Sequence, residues 1–298
     1  MSGTDELADL YSAIEESAGL LDVACSRDKV WPILSAYDVI QQDIIAFRVA
    51  TDTRNAGDFN CRFSLHKGVD PYAVALSEGL MKGTDHPVGS LLSDIDEHCQ
   101  VDSTGVDFGV VGGFKKIWVY FPDDDFPTMS RLIDLPSMPR SLAENASLFA
   151  RHGMGERVDV IGIDYQDKTV NLYFPESPEP ETILAMHREI GLPEPSEPLL
   201  KLCELAFGTY TTLTWDSPRV ERISFGLKAQ DPMALPVDLG PKIAKFLESM
   251  RYGNDDPKNV YAAMTSTGEE YLKLQSYYRW QPRGRRAGRG YPKTRSAN

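Results

Sequence analysis

The sequence predicts an α+β fold in which ten antiparallel strands close into a barrel with a solvent-filled lumen, surrounded by a ring of α-helices. Pairs of strands begin near residues 44, 105, 157, 208 and 259, a repeat of about 50 residues with helical connections. The strands also separate polar from apolar side chains on opposite faces. The repeat by itself is also consistent with an open α+β sheet. The division of faces favours the barrel, because a ten-stranded barrel encloses a lumen wider than side chains can fill, and the polar faces can line it.

Each element follows from local periodicity and turn signals. Strand pairs are predicted at 44–50 with 59–65, 105–111 with 115–121, 157–164 with 168–174, 208–215 with 219–228, and 259–265 with 270–280. Apolar positions three or four residues apart predict helices at 5–20, 28–42, 141–152, 181–191, 196–206 and 238–251. The region 70–98 is also predicted to be helical, with a break near Pro87 because proline interrupts a helix.

The stretch from Gly112 to Phe121 shows the division of faces most clearly. One face carries Phe114, Lys116, Trp118 and Tyr120, and the other carries Lys115, Ile117, Val119 and Phe121. A lysine beside large aromatic rings suits a cavity that receives an anionic leaving group and a developing carbocation. Polar or small residues share the inward face of the other strands: Arg48, Arg62, Ser64, Thr169, Asn171, Tyr173, Arg222, Ser224, Gly226, Lys273, Gln275 and Tyr277.

Composition excludes several classes of protein. A net charge of −13 and a pI near 4.9 argue against a nucleic-acid binder, and the acidic start lacks the features of a secretory signal. There is no apolar run of about 18 residues that could span a membrane. The scattered residues Cys25, Cys61, Cys99 and Cys203 indicate free thiols in a reducing compartment. We expect a cytoplasmic monomer that binds neither nucleic acid nor membrane.

We predict a single domain over residues 1–280, followed by a basic tail over 281–298. The tail contains five Arg, one Lys and no acidic residue. A flexible solvated tail is the favoured interpretation, and a nucleic-acid or membrane patch is the alternative.

Several segments carry a family resemblance. Gly-Gly-Phe-Lys-Lys at 112–116, Val-Asn-Leu-Tyr-Phe at 170–174, Tyr-Leu-Lys-Leu at 271–274 and the stretch 18–29 resemble the soluble bacterial aromatic prenyltransferases, the ABBA or PT-barrel family, in its naphthalene- and phenazine-prenylating branch. The resemblance runs from about residue 8 to residue 280. It implies a PT barrel that transfers a dimethylallyl or geranyl group from an allylic diphosphate to an electron-rich hydroxynaphthalene, phenazine or phenol in secondary metabolism, such as antibiotic biosynthesis.

The resemblance also implies roles for individual residues. The diphosphate would be held by Lys116, Thr169, Asn171, Tyr210, Arg222 and Lys273, and a cage around the allylic carbon would be formed by Trp118, Tyr173 and Tyr210. Any single cation could instead be a solvated strand residue, and the rings could be core aromatics. Trp118 stands where relatives have a tyrosine, and a bulkier indole would shorten the prenyl pocket, which favours dimethylallyl over geranyl.

The first hairpin departs from the metal-dependent relatives. Those relatives carry a Mg²⁺-binding aspartate in Asp-Phe-Ser-Ile, whereas this chain reads Arg62-Phe63-Ser64-Leu65. Arg48 lies on the same face of the neighbouring strand, and guanidinium groups can bind phosphate oxygens in place of a metal. We therefore predict metal-independent activity without a cofactor. The run 123–125 of three aspartates is flanked by prolines, so a solvated loop is preferred over a metal motif.

The acceptor side is inferred from the same resemblance. The residues expected to face the aromatic acceptor are Ser64, Asp159, Val160, Gly208, Gly226, Gln275 and Tyr277. Asp159 could orient an acceptor hydroxyl or take the ring proton, and a carboxylate paired with a nearby cation is an equal alternative. A non-catalytic barrel that carries an aromatic or phosphorylated metabolite is the competing class, and a decayed enzyme that still binds diphosphate is a third.

Overall fold

A computed structural model describes residues 3–38, 45–50, 59–177, 179–250 and 256–278, without the side chains of residues 3, 4, 277 and 278. Its strands are β1 (Ile45–Ala50), β2 (Asn60–Leu65), β3 (Ser103–Gly109), β4 (Gly113–Tyr120), β5 (Val160–Asp164), β6 (Thr169–Phe174), β7 (Ala206–Thr214), β8 (Arg222–Ala229), β9 (Lys258–Met264) and β10 (Glu270–Tyr278). Each predicted strand overlaps one of these. The predicted tail at 281–298 lies outside the described residues.

The ten strands form one closed antiparallel barrel. Around the barrel the order is β1, β10, β9, β8, β7, β6, β5, β4, β3 and β2. Closure comes from β1, which pairs with β2 on one side and with β10 on the other. The closed barrel predicted from the faces of the strands is therefore confirmed, and the open sheet is excluded.

Helices surround the barrel. They are α1 (Gly3–Gly19), α2 (Arg27–Ala36), α3 (Pro71–Ser77), α4 (Leu91–His98), α5 (Met129–Ile133), α6 (Arg140–Arg151), α7 (Pro180–Ile190), α8 (Glu197–Cys203) and α9 (Gly240–Ser249), with 3₁₀ turns at Pro87–Gly89 and Pro232–Ala234. Local signals set several ends: the Asp70 side chain accepts the first amides of α3, and Gly191 ends α7 in the left-handed conformation.

The hydrophobic core lies between the barrel and the helices. The outward side chains of the central strands are fully buried there, including Ile117, Val119, Ile161, Ile163 and Leu172. Each such side chain contributes about 1.5–3 kcal/mol through removal of apolar surface from water. This packing leaves the opposite face of every strand directed at the lumen.

Some boundaries differ from the sequence prediction. The helix predicted at 28–42 ends at Ala36, and residues 39–44 lie outside the described part. The short helix α5 was not predicted, because its five residues are too few to show periodicity. In the described residues no helix is long and apolar enough to cross a membrane. None of the four cysteines, all of which lie in the described residues, forms a disulfide bond, as predicted.

Candidate active site

Cross-strand register places the predicted diphosphate-binding residues on the lumen face. Lys116 on β4 lies opposite Asp107 on β3 and opposite Asp164 on β5. Two residues further along β4, Trp118 lies opposite Gly105 of β3 and Gly162 of β5. Because neighbouring residues in register point to the same side of a sheet, these side chains share the inward face.

A buried carboxylate, which the sequence analysis did not single out, organises the first cationic group. Asp107 is 1% exposed, and its Oδ2 lies 2.9 Å from Nη2 of Arg48. Its Oδ1 accepts a hydrogen bond of 3.2 Å from Nε of Arg62. The indole Nε1 of Trp118 donates to Oδ2 at 2.8 Å. Both predicted arginines and the predicted tryptophan therefore converge on one carboxylate.

The charges around Asp107 keep it ionised. Burial alone would raise its pKa, but the two guanidinium groups, the Lys116 ammonium and the indole hydrogen bond outweigh burial and hold the pKa at about 2. Lys116 has its own partner, because its Nζ lies 3.3 Å from Oδ2 of Asp164. Burial lowers the pKa of Lys116, and the nearby carboxylates offset part of that effect.

The indole ring of Trp118 is packed between groups of the neighbouring strands. The guanidinium carbon of Arg62 lies 3.6 Å from the ring centroid, the geometry of a close cation–π contact. A Cβ added at Gly162 would lie 3.1–3.3 Å from three consecutive ring carbons. The indole therefore fits in this position because residue 162 has no side chain. Trp118 is 2% exposed and therefore acts as a platform for Arg62.

A row of aromatic rings extends from Trp118 across the next strands. The centroids of Trp118 and Tyr173 are 5.3 Å apart, and Tyr173 stacks on Tyr210 at 4.7 Å with an interplanar angle of 15°. Tyr261 of β9 meets Tyr210 edge-on at 6.0 Å. Burial raises the pKa of Tyr173 well above its ordinary value, so its phenol stays neutral. The three rings that were predicted to form the cage therefore contact one another in sequence, and Tyr261 extends the row.

A second cationic group lies around Tyr271 of β10. Nη1 of Arg222 donates to the hydroxyl of Tyr271, and Nη2 donates to Oγ1 of Thr212 at 2.8 Å. The Thr212 hydroxyl donates in turn to Oδ1 of Asn171 at 2.7 Å. Lys273 lies beside the same tyrosine, with Nζ 5.4 Å from its ring centroid. Arg222 and Lys273 thus form a separate group from the cluster around Asp107.

The other predicted residues also lie on the lumen face, with two qualifications. Thr169 is opposite Asp164, Ser64 opposite Gly105, Val160 opposite Tyr173, Gly208 opposite Gly226, and Gln275 opposite Arg48. The side chain of Tyr277 lies outside the described part of the chain. The second qualification concerns Asp159.

Asp159 lies where the strand pairing is irregular. Its amide donates to the carbonyl of Tyr173, the residue that also pairs with Val160, and its own carbonyl accepts from the amide of Phe121. Two consecutive residues opposite one partner form a β-bulge, which interrupts the alternation of faces. Alternation therefore does not assign the Asp159 side chain to either side of the sheet. Its electrostatic neighbours are Glu176 and Arg157. The contact of Asp159 with the acceptor stays a prediction.

Sequence reasoning also missed several lumen residues. Asp107 and Asp164 occupy positions of β3 and β5 whose side chains point into the lumen, and the alternation of residues along these strands could have identified them.

A bulge between Ala206 and Gly208 could not be seen in the sequence. It turns Phe207, which is 43% exposed, toward Gly226, where an added Cβ would lie 2.8 Å from the Phe207 ring.

This combination of a closed barrel, lumen cations and an aromatic row accords with the comparison to known proteins. Residues 5–288 match the family described as Aromatic prenyltransferase Orf2. The chain belongs to this family. It is an aromatic prenyltransferase, and the resemblance noted in the sequence is confirmed.

Relatives in Streptomyces place the chain in the naphthalene- and phenazine-prenylating branch. A flaviolin linalyltransferase of Streptomyces virginiae is 57% identical over 285 residues, covering 94% of this chain and 95% of the relative. A furaquinocin biosynthesis prenyltransferase of Streptomyces sp. (strain KO-3988) is 57% identical over 289 residues, with 94% of each chain covered. A 5,10-dihydrophenazine-1-carboxylate 9-dimethylallyltransferase of Streptomyces anulatus is 49% identical over 289 residues, with 95% and 97% covered.

Proposed function

We propose that the lumen binds an allylic diphosphate without a metal ion and transfers its prenyl group to a fused, electron-rich aromatic acceptor. The observation that carries this proposal is the row of aromatic rings in the same lumen as two groups of cations. A diphosphate needs the cations, and an allylic carbocation needs the rings. A carrier of an aromatic or phosphorylated metabolite would need only one of these two features.

The charge of the lumen supports metal independence. The two groups contain the cations of Arg48, Arg62, Lys116, Arg222 and Lys273, and the carboxylates of Asp107 and Asp164. Five positive and two negative charges leave a net of three positive charges. A fully ionised allylic diphosphate carries three negative charges, so the side chains can balance it without Mg²⁺.

Unsatisfied donors support an anion in the same place. Nε of Arg48 and Nε of Arg222 are buried and have no hydrogen-bond partner among the described residues. Buried N–H groups of charged side chains are rarely left unpaired. One such donor lies in each cationic group, and phosphate oxygens are acceptors that guanidinium groups bind strongly.

The reaction then follows from the positions of the groups. As the C–O bond of the donor breaks, its electron pair moves to the diphosphate, where the cations stabilise the growing charge. Tyr173, Tyr210 and Tyr261 present π faces to the allylic cation, each contributing about 0.5–2 kcal/mol. The acceptor ring forms the new bond to the allylic carbon, and loss of the ring proton restores aromaticity. Trp118 contributes by supporting Arg62, so its size gives no reason to prefer a five-carbon donor.

The acceptor is best sought among fused, electron-rich aromatic compounds. Two relatives are named for flaviolin and for dihydrophenazine carboxylate, both larger than a simple phenol. The lumen face pairs Gly208 with Gly226 and Ser64 with Gly105, and the rings of Phe207 and Tyr261 lie against Gly226, where they can stack on such a ring. We propose these residues, with Val160 and Gln275, as the acceptor side.

The test is a donor and acceptor matrix with the full chain in EDTA. Dimethylallyl and geranyl diphosphate are each combined with flaviolin and with the dihydrophenazine carboxylate, and pyrophosphate release and prenylated product are measured. We expect turnover in EDTA within about twofold of turnover with Mg²⁺. Loss of turnover in EDTA, restored by Mg²⁺, would refute metal independence. Donor binding without product from any pair would favour a carrier.

Two neighbouring lysines provide a matched pair of variants. Lys116 faces the lumen, whereas Lys115 pairs with Asp167 outside it at 3.7 Å. Loss of one charge-assisted contact costs about 1.5–3 kcal/mol, so Lys116→Met should lower kcat/KM for the donor by about 10- to 100-fold. Lys115→Met should change it by less than about twofold. Equal effects of the two substitutions would mean that the diphosphate lies elsewhere.

A further inference from the structure

The two buried carboxylates create a problem for simple diphosphate binding. Asp107 already forms ion pairs with Arg48 and Arg62, and Asp164 already forms one with Lys116. A donor diphosphate must therefore draw these cations toward itself in competition with fixed negative charges. A site built only for affinity would carry neutral residues at these two positions.

The product explains why such competition would be useful. Inorganic pyrophosphate carries at least as many negative charges as the donor diphosphate from which it is released. Cations that bind the donor tightly will hold the product at least as tightly, and product release often limits turnover. Without a metal ion that could leave together with pyrophosphate, the protein itself must supply the groups that weaken its binding.

On the basis of the proposed diphosphate site, we propose that Asp107 is a fixed counter-ion that competes with pyrophosphate for Arg48 and Arg62. This competition speeds the release of pyrophosphate after the reaction. It is a positioning residue, since it acts through the arginines. Asp164 plays the same part for Lys116.

The surroundings of Asp107 fit this role because they hold the carboxylate while the cations can shift. Trp118 fixes Oδ2 through its indole N–H, and the indole is held in turn against Gly162. The guanidinium groups stand at the ends of the long side chains of Arg48 and Arg62, which are 13% and 11% exposed, whereas the side chain of Asp107 is 1% exposed. The carboxylate thus remains in place to recover both arginines after pyrophosphate leaves.

The substitution Asp107→Asn tests the proposal, because the amide oxygen can still accept the indole hydrogen bond while the charge is lost. Calorimetry in EDTA measures the affinity of the full chain for inorganic pyrophosphate. We expect Asp107→Asn to bind pyrophosphate at least about tenfold more tightly, and kcat and the donor KM to fall together. Asp102→Asn removes the same charge from an exposed position just before β3 and should leave pyrophosphate affinity unchanged.

The outcomes separate this proposal from the one on which it rests. Absence of pyrophosphate binding by the unmodified chain would refute the proposed diphosphate site. If the unmodified chain binds pyrophosphate but Asp107→Asn binds it more weakly or equally, only the counter-ion role is overturned. If Asp107→Asn does not fold, Asp164→Asn decides in the same way, because its amide oxygen can still accept the turn amides of Gln166 and Asp167.

Discussion

Asp107 and Asp159 are carboxyls whose surroundings shift their pKa values in opposite directions. Two guanidinium groups hold the pKa of Asp107 at about 2 despite its burial. For Asp159, burial raises the pKa to about 7, helped by the nearby charge of Glu176. Its Oδ1 is buried without a hydrogen-bond partner in the described part of the chain, which is costly for a charged carboxylate. The first carboxyl is held charged, and the second is most stable when neutral.

We therefore predict that Asp159 makes the fold less stable as the pH rises. The folded state holds a proton that an unfolded aspartate, with a pKa near 3.8, has lost. Stability conferred by the neutral form is complete below about pH 4 and falls until about pH 7. Asp159→Asn cannot lose a proton, so it should be more stable than the parent at pH 8 by about 1–2 kcal/mol, since partial access to water reduces the full effect.

Urea denaturation at pH 5 and pH 8 measures this difference. The gain from Asp159→Asn should be larger at pH 8, and the exposed substitution Asp102→Asn should show no such pH dependence. Unchanged turnover and regiochemistry in Asp159→Asn would, in addition, remove Asp159 from the mechanism. A variant that is less stable than its parent at pH 8 would contradict the predicted pH dependence.

At the scale of single residues, the sequence predicted which face of a strand a side chain occupies, but not which other side chains it contacts. Alternation correctly put Arg48, Arg62 and Lys116 in the lumen. It could not show that Asp107 would draw both arginines together, because that contact joins three strands whose relative stagger is set by barrel closure. It also could not show that the guanidinium group of Arg62 would lie against the Trp118 ring.

At the scale of elements, the strand β5 shapes the site through a residue without a side chain. Gly162 lies between Trp118 on β4 and Asn171 on β6, and the indole occupies the space that a Cβ would take. Through Trp118, this contact supports both Arg62 and Asp107. The position of one ring thus couples three neighbouring strands to the cationic group.

Gly162→Ala should therefore disturb diphosphate binding as well as stability. The added methyl group would lie 3.1–3.3 Å from the indole carbons and force the ring to move. We expect a loss of about 1–3 kcal/mol in unfolding free energy and weaker binding of pyrophosphate in calorimetry. Gly19→Ala is the control, since nothing lies within 4 Å of its added Cβ. A fully stable Gly162→Ala variant with parental pyrophosphate affinity would contradict the coupling.

Sequence periodicity predicted elements well where they were long or had a clear turn. Gly113, with a φ of 79°, begins β4 after the turn that the Gly-Gly signal indicated. The predicted helix at 196–206 was too long, because Ala206 already belongs to β7. The bulge that follows is a departure from regular pairing, and such departures depend on the neighbouring strand more than on local sequence.

At the scale of the whole molecule, closure of the barrel unites charges from distant parts of the chain. Arg48 in β1 lies opposite Gln275 in β10, so the two ends of the described sheet meet beside the cationic residues. The chain as a whole carries −13, yet its lumen groups carry a net positive charge. If the proposed function is correct, an anionic donor meets positive charge inside the barrel although the chain as a whole is acidic.

The charge balance makes a final prediction about Arg62. Replacing it by aspartate changes the lumen by two charges, which leaves a net of one positive charge, and a bound Mg²⁺ would restore the original three. The new carboxylate would lie across from Ala46 and Asp107, and carboxylate oxygens are the ligands that Mg²⁺ prefers. Arg62→Asp should lose about 100-fold in kcat/KM for the donor in EDTA and regain at least about tenfold with millimolar Mg²⁺.

Arg62→Ala separates metal recruitment from a general response to salt. It lacks the charge of the arginine but offers no carboxylate, so it should lose activity in EDTA and gain less than about twofold from Mg²⁺. Isothermal titration of each variant with Mg²⁺ in the presence of pyrophosphate reports binding independently of turnover. If Mg²⁺ rescues both variants equally, or neither, then the side chain at position 62 does not substitute for a metal ion, and the balance of charge in the lumen does not support the proposed metal independence.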